Sequence, residues 1–226
     1  MNFKALFGSL GYLRNPGHRG VRFAADVLRK HGWKDRGDGA PFDAQGNPTA
    51  WYTYPALQYL AGLDLSDRTV FEYGAGNSSL WWAGLAKSVT SVEHDKQWYE
   101  KLKSKLKPNQ TLLSASAKED YVNACAGPYD IIVDDGSWRL PCAIRAVANL
   151  SPRGFIVLDN SDWFPKSAAA LRDAGLIQVD FHGSGPINAY CWCTSIFLRP
   201  GVQLKPRGER QPVWGVGGIQ KVEDEG

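Results

Sequence analysis

Several features that mark other protein classes are scarce in this 226-residue sequence. No apolar run approaches the roughly 20 residues that a membrane-spanning helix needs, so we predict no membrane partner. A net charge of +3 provides no basic surface for a nucleic acid, and we predict none as partner. The four cysteines lack the paired spacing of a zinc site, and we expect reduced thiols in a cytoplasmic protein.

The composition is that of a globular protein, with 43% hydrophobic and 22% charged residues. We divide the chain into an N-terminal helical extension at 1–63, a core at 64–200 and an irregular C-terminal tail at 201–226. In the extension we predict helices at 21–31 and 54–63. The polar stretch between them, rich in glycine and proline, is predicted to be a loop or a lid.

Short apolar segments alternate with helical patterns through the core. We predict strands at 69–73, 88–93, 111–113, 129–133, 154–158, 176–181 and 193–198, and helices at 78–87, 96–106, 140–150 and 167–174. This alternation predicts a doubly wound α/β fold, in which helices cover both faces of a mostly parallel sheet. A loop of glycine and proline joins the last two strands without a helix, which favours an antiparallel pair.

A glycine-rich turn follows the first predicted strand. Gly74 and Gly76 stand where the strand turns into a helix, and this arrangement lets a ligand approach the backbone closely. A dinucleotide-binding turn has a third small residue that packs the helix on the strand, and Ser79 occupies that position here. Glu72 would repel a pyrophosphate and attract a cation. The turn therefore favours a positively charged cofactor.

Glu93 ends the second predicted strand, about 20 residues beyond the glycine turn. An acid at this place can accept hydrogen bonds from ribose hydroxyls. The alternative is a surface glutamate near a helix start. We predict the ribose-binding role because a strand end and a glycine turn accompany it.

The pattern Glu72-x-Gly74-x-Gly76, followed by Glu93 after the next strand, resembles motif I and the ribose-binding acid of class I S-adenosylmethionine-dependent methyltransferases. The resemblance covers about residues 70–198. It implies seven strands in the order 3-2-1-4-5-7-6, with strand 7 antiparallel. The cofactor-binding residues that it implies are Glu72, Gly74, Gly76, Asn77 and Ser78 around the methionine part, Glu93 at the ribose, and His94 with Ser116 or Ala117 near the adenine.

Acidic residues follow the fourth and fifth predicted strands. Asp135, Asp159 and Asn160 supply oxygen ligands of the kind Mg²⁺ prefers, and they resemble the metal site of catechol O-methyltransferases. The ion would lower the pKa of a substrate hydroxyl, which would make Asp135 a catalytic residue. In the alternative, Asp134 or Asp135 contacts the amino group of the cofactor while Asp159 and Asn160 cap a turn. Both interpretations stay open, and only the first includes magnesium as a second cofactor.

His182, near the end of the sixth predicted strand, is a candidate general base. In the alternative, it is a partly exposed histidine at a strand end with no catalytic role. The resemblance implies methyl transfer to an oxygen or nitrogen atom. The missing Asn/Asp-Pro-Pro-aromatic motif after the fourth strand favours a small-molecule or sugar-type acceptor over a nucleic-acid base. An NAD-dependent oxidoreductase and a non-catalytic module that binds S-adenosylmethionine stay open as alternatives, as does a homodimer.

Overall fold

The protein is described by a computed structural model that covers residues 16–34 and 39–223. The parts of the predicted extension at 1–15 and 35–38, and of the predicted tail at 224–226, lie outside the described residues. No helix in the described ranges is long and apolar enough to span a membrane.

Seven strands form one sheet in the order β3-β2-β1-β4-β5-β7-β6. The strands are β1 Thr69–Tyr73, β2 Ser88–Glu93, β3 Gln110–Ser114, β4 Tyr129–Asp134, β5 Leu150–Asp159, β6 Ile177–Ser184 and β7 Cys191–Leu198. The first five run parallel to one another, whereas β7 is antiparallel to both of its neighbours, β5 and β6. The predicted doubly wound α/β fold and its strand order are confirmed.

Helices pack on both faces of the sheet. They are α1 Pro16–His31, α2 Tyr54–Ala61, α3 Asn77–Trp82, α4 Lys96–Lys103, α5 Lys118–Asn123, α6 Arg139–Asn149 and α7 Pro165–Asp173. Successive strand residues point to opposite faces. In β4, Ile131 and Val133 pack with α2 and α3 in one buried cluster, while Ile132 packs with α5, α6 and α7 in another.

One helix was not predicted, and several helices and strands begin or end at other residues than predicted. The short helix α5 carries no helical pattern that could be recognised, because Tyr121 is its one buried residue. Helix α3 ends at Trp82, earlier than predicted, in a turn that contains Gly84. Strand β5 begins at Leu150, which we had assigned to the preceding helix, and this residue pairs with Tyr129 of β4. At Leu150, pairing with the neighbouring strand thus overrides the local helical pattern.

Candidate functional site

The glycine turn joins β1 to α3 at the carboxyl edge of the parallel strands. Gly74 has a φ of +85°, and a β-carbon placed there would lie 2.7 Å from both the carbonyl oxygen of Asp135 and the Cα of Gly136. A β-carbon on Gly76 would meet no atom closer than 3.9 Å. Gly74 therefore lets the β4 loop approach closely, whereas a β-carbon on Gly76 would make only ordinary van der Waals contacts.

Glu72 lies beneath this turn and is fully buried. Its carboxylate accepts hydrogen bonds from Ser78 at 2.5 Å, from Ser91 at 2.7 Å and from the hydroxyl of Ser79. Burial raises the pKa of Glu72 to about 7, although the three hydroxyl groups oppose that rise. The side chain anchors the turn and is not part of the cavity wall, so it would influence a bound cofactor through the turn and through its charge.

Glu93 connects the glycine turn to the start of α4. Its Oε2 accepts a hydrogen bond from the amide of Ala75 at 3.0 Å, and its Oε1 accepts one from the amide of Asp95 at 2.8 Å. Asp95 caps α4 by accepting from the amide of Trp98 at 2.8 Å. Glu93 also lines the cavity described below.

Trp98 is a cavity residue that the sequence analysis missed. Its indole Nε1 donates to the carbonyl oxygen of Ala75 at 2.5 Å, and the ring lines the cavity. A tryptophan at the third position of a predicted helix gives no signal in the sequence. Its hydrogen bond to the glycine turn holds the indole at the cavity.

The two residues that we predicted near an adenine lie in different surroundings. His94 lines the cavity, with its ring centroid 5.7 Å from that of Trp138 and 6.0 Å from that of Tyr121. Ser116 is exposed and stands outside the wall of this cavity. Aromatic side chains from α5 and the start of α6 therefore surround His94, and these were not in the predicted site.

Arg139 is a second residue that the sequence analysis missed. This buried guanidinium pairs with Asp135 at 2.8 Å and donates to the carbonyl oxygens of Asp134 at 2.5 Å and Asp159 at 3.0 Å. One side chain thus ties together the ends of β4 and β5. Burial, opposed by the charge of Arg139, raises the pKa of Asp135.

The predicted magnesium site is not supported by this arrangement. Asp135 is paired with Arg139, while Oδ1 of Asp159 accepts from Trp192 Nε1 at 3.0 Å and from Thr194 Oγ1 at 2.5 Å. Asn160 has a φ of +53° and its carbonyl oxygen accepts from two amides of the following turn. Within residues 16–34 and 39–223, no group of three His, Cys, Asp or Glu residues could hold a metal ion. Asp135 instead forms an ion pair, and Asp159 accepts hydrogen bonds, within the protein.

Asp134 is fully buried, and neither carboxylate oxygen has a hydrogen-bond partner among the described residues. Burial raises its pKa to about 7. The side chain lies outside the cavity wall, whereas Asp135 is part of it. Of the two acids that we considered for the amino group of a cofactor, Asp135 is therefore the one within reach of a ligand.

These elements enclose a cavity of about 520 Å³ at the carboxyl edge of the sheet. Its wall contains the predicted residues Gly74, Gly76, Asn77, Ser78, Glu93, His94, Asp135, Asp159 and Asn160. The remaining wall includes four aromatic side chains, Trp51, Trp98, Trp163 and Tyr190. Asn77 Nδ2 donates to the carbonyl oxygen of Pro41 at 2.6 Å, which fixes the segment preceding α2 against the cavity. Such a volume suits a small organic ligand.

His182 lies apart from this cavity. It is exposed on β6 and lines a different, shallow depression together with Asp162, Asp180 and Cys193. The structure therefore does not bring His182 together with the other predicted site residues. The predicted strand ended at residue 181, whereas β6 extends to Ser184 and includes His182, whose side chain faces the other depression.

Comparison with solved structures shows which proteins share this fold. Precorrin-6y C5,15-methyltransferase from Geobacter metallireducens GS-15 is similar with a TM-score of 0.52 and 19% sequence identity, over 69% of this chain and 95% of that one. Spermidine synthase from Thermotoga maritima is similar with a TM-score of 0.50 and 12% identity, over 68% of this chain and 58% of that one. No protein-family model and no curated protein matches the sequence. With its strand order, the chain has the fold of class I S-adenosylmethionine-dependent methyltransferases.

Proposed function

We propose that the protein is an S-adenosylmethionine-dependent methyltransferase that acts on an oxygen or nitrogen atom of a small-molecule or sugar-type acceptor. The observation that carries the proposal is the glycine turn held directly against Glu93. Gly76 and Glu93 line the same cavity, and the carboxylate of Glu93 accepts a hydrogen bond from the amide of Ala75 in the turn. A cofactor with a ribose and an amino-acid part fits this set of donors and acceptors.

The charges around the cavity favour a cationic ligand. Three acids, Glu93, Asp135 and Asp159, line the cavity, and its described wall contains no lysine or arginine. Ionised acids in such a wall create a negative potential, which attracts positive charge. When bound, S-adenosylmethionine supplies a methyl group on a positively charged sulfur. The residues of the protein would bind it, orient the acceptor and exclude water, which is the principal catalytic effect expected for an in-line transfer.

The same contacts weigh against an NAD-dependent oxidoreductase. Ser79 fills the position of the third small residue, and its hydroxyl is bonded to Glu72 under the turn. A buried carboxylate at this place would lie beneath the pyrophosphate of a dinucleotide. A non-catalytic module would bind the same cofactor, so a methyl-transfer assay against candidate acceptors separates it from an enzyme.

Calorimetric titration with S-adenosylhomocysteine, and in parallel with NADH, tests the proposal. We expect a dissociation constant in the micromolar range for S-adenosylhomocysteine, or about −8 kcal/mol, and no heat from NADH. Binding of NADH without S-adenosylhomocysteine would contradict the proposal and favour the oxidoreductase. Repeating the titration with Mg²⁺ should leave the affinity unchanged, because Asp135 and Asp159 already have partners.

A further inference from the structure

A second cavity, also of about 520 Å³, lies beside the cofactor cavity. We call it the side groove, and most of its wall is apolar: Trp138, Leu140, Pro141, Trp163, Phe164 and Pro165. It runs between the start of α6 and the start of α7. Trp163 belongs to the walls of both cavities, so the groove adjoins the site described above.

Large apolar side chains are exposed where the two cavities meet. Trp163 is 55% exposed, Tyr190 is 50% exposed and Leu140 is 36% exposed. Arg139, which also borders the groove, is engaged with the ends of β4 and β5. Exposed apolar surface that adjoins a ligand cavity is typical of a binding site.

The aromatic residues at this junction are held in a defined arrangement. The rings of Trp163 and Tyr190 lie 6.0 Å apart and are inclined by 34°. Tyr190 also contacts Trp192 at 5.8 Å, and the amide of Trp163 donates to the carbonyl oxygen of Asn160 at 2.8 Å. Flat aromatic faces at fixed positions favour stacking with a planar ring.

We propose that the methyl acceptor is a hydroxylated aromatic ring with an apolar extension. The ring binds beside Trp163 and Tyr190 at the mouth of the cofactor cavity, and the extension lies in the side groove along Leu140. This inference rests on the proposed function for the reaction itself. The two binding surfaces, in contrast, are defined by the walls of the cavities and can be tested without turnover.

The test uses 4-methylphenol and 4-pentylphenol as probes, titrated into the full chain with and without saturating S-adenosylhomocysteine. Burial of each additional methylene contributes about 0.8 kcal/mol, or about a fourfold gain in affinity. Full burial of the four additional methylenes would give about 200-fold, and burial of part of them about 30-fold, so we expect 4-pentylphenol to bind roughly 30- to 200-fold more tightly. Trp163→Ala should weaken 4-methylphenol by about fivefold or more, because it removes the stacking surface, and should weaken 4-pentylphenol at least as much, because Trp163 also lines the side groove.

Leu140→Glu and Ile144→Glu form a matched pair on α6. Both residues are exposed aliphatic side chains, but only Leu140 belongs to the wall of the side groove. Leu140→Glu should reduce the pentyl-to-methyl ratio at least tenfold, whereas Ile144→Glu should keep the ratio of the unchanged protein. The affinity for 4-methylphenol should stay within about twofold in both variants, since the ring does not reach Leu140.

Equal ratios in the two α6 variants would overturn the proposed groove, as would the absence of any phenol binding at millimolar concentration. Failure of S-adenosylhomocysteine to bind would overturn the proposed function alone, because the phenol ratios are also measured without it. Chain-length dependence that is lost only in Leu140→Glu supports the groove in either case.

Discussion

At the scale of single residues, Glu93 has more than one task. It accepts two backbone hydrogen bonds and also faces the cavity. We expect Glu93→Ala to weaken S-adenosylhomocysteine binding by more than tenfold, or about 1.4 kcal/mol, while the fold is retained. Calorimetry and circular dichroism measure the two effects. Glu100→Ala, at an exposed acid on the following helix α4, is the control and should bind normally. Unchanged affinity in Glu93→Ala would refute the ribose role.

The burial of Asp134 predicts how the stability of the folded protein depends on pH. Burial raises its pKa in the folded protein to about 7, above the value of about 3.9 for an unfolded chain. The folded state thus holds a proton that the unfolded state releases, and stability falls as the pH rises from about 4 through 7. Because an asparagine side chain is neutral at every pH, Asp134→Asn should be the more stable protein at pH 8, by on the order of 2 kcal/mol.

Urea unfolding of this variant at pH 5 and pH 8 measures the difference, which should shrink towards the lower pH. Asp173→Asn, at an exposed carboxylate, provides the control and should show no such dependence. A loss of stability in Asp134→Asn at pH 8 would mean that the ionised carboxylate has a partner in solution that the described hydrogen bonds do not include.

At the scale of elements, the contact between the glycine turn and the β4 loop decides the shape of the site. Gly74→Ala would place a methyl group 2.7 Å from backbone atoms of Asp135 and Gly136 and would also strain a φ of +85°. Gly175 has nearly the same φ, +84°, with no atom within 4 Å. We expect Gly175→Ala to cost about 1 kcal/mol and Gly74→Ala to cost at least about 2 kcal/mol more.

Denaturant unfolding of the two glycine variants separates conformational strain from the clash. If both variants lost equal stability, the close approach of the two loops would not exist in solution. The affinity for S-adenosylhomocysteine should fall only in Gly74→Ala, since Gly175 lies at the end of α7, away from the cavity wall.

At the scale of the whole molecule, the C-terminal segment contributes packing although its described part forms no helix or strand. The carbonyl oxygen of Gln203 accepts from the buried Arg68 at 3.0 Å, and the amide of Val216 donates to Gln58 of α2 at 3.1 Å. Deletion of 201–226 would leave these groups unpaired. We expect it to lower the melting temperature by about 5–10 °C, the effect of roughly 2–3 kcal/mol in a chain of this size.

Scanning calorimetry would measure this change. Deletion of only 220–226, where the described side chains are exposed, is the control and should change the melting temperature by less than about 2 °C. Equal effects of the two deletions would show that the contacts of Arg68 and Gln58 with this segment contribute nothing to stability.

The sequence by itself determined the sheet and the position of the glycine turn. Buried parallel strands are short apolar runs bounded by polar turns, and that pattern can be read without a partner strand. The ends of such strands share one edge of the sheet. For this reason the predicted residues at Gly76, Glu93, Asp135 and Asp159 meet in one cavity.

Only the tertiary structure decided which polar groups satisfy one another. Arg139 lies beside Asp135 and the end of β5 because the start of α6 turns back over the sheet, and no spacing in the sequence indicates that contact. The same holds for Glu72, which three serine hydroxyls hold under the turn. Periodicity reports which face of an element is buried, whereas hydrogen-bond partners depend on distances between elements far apart in the chain.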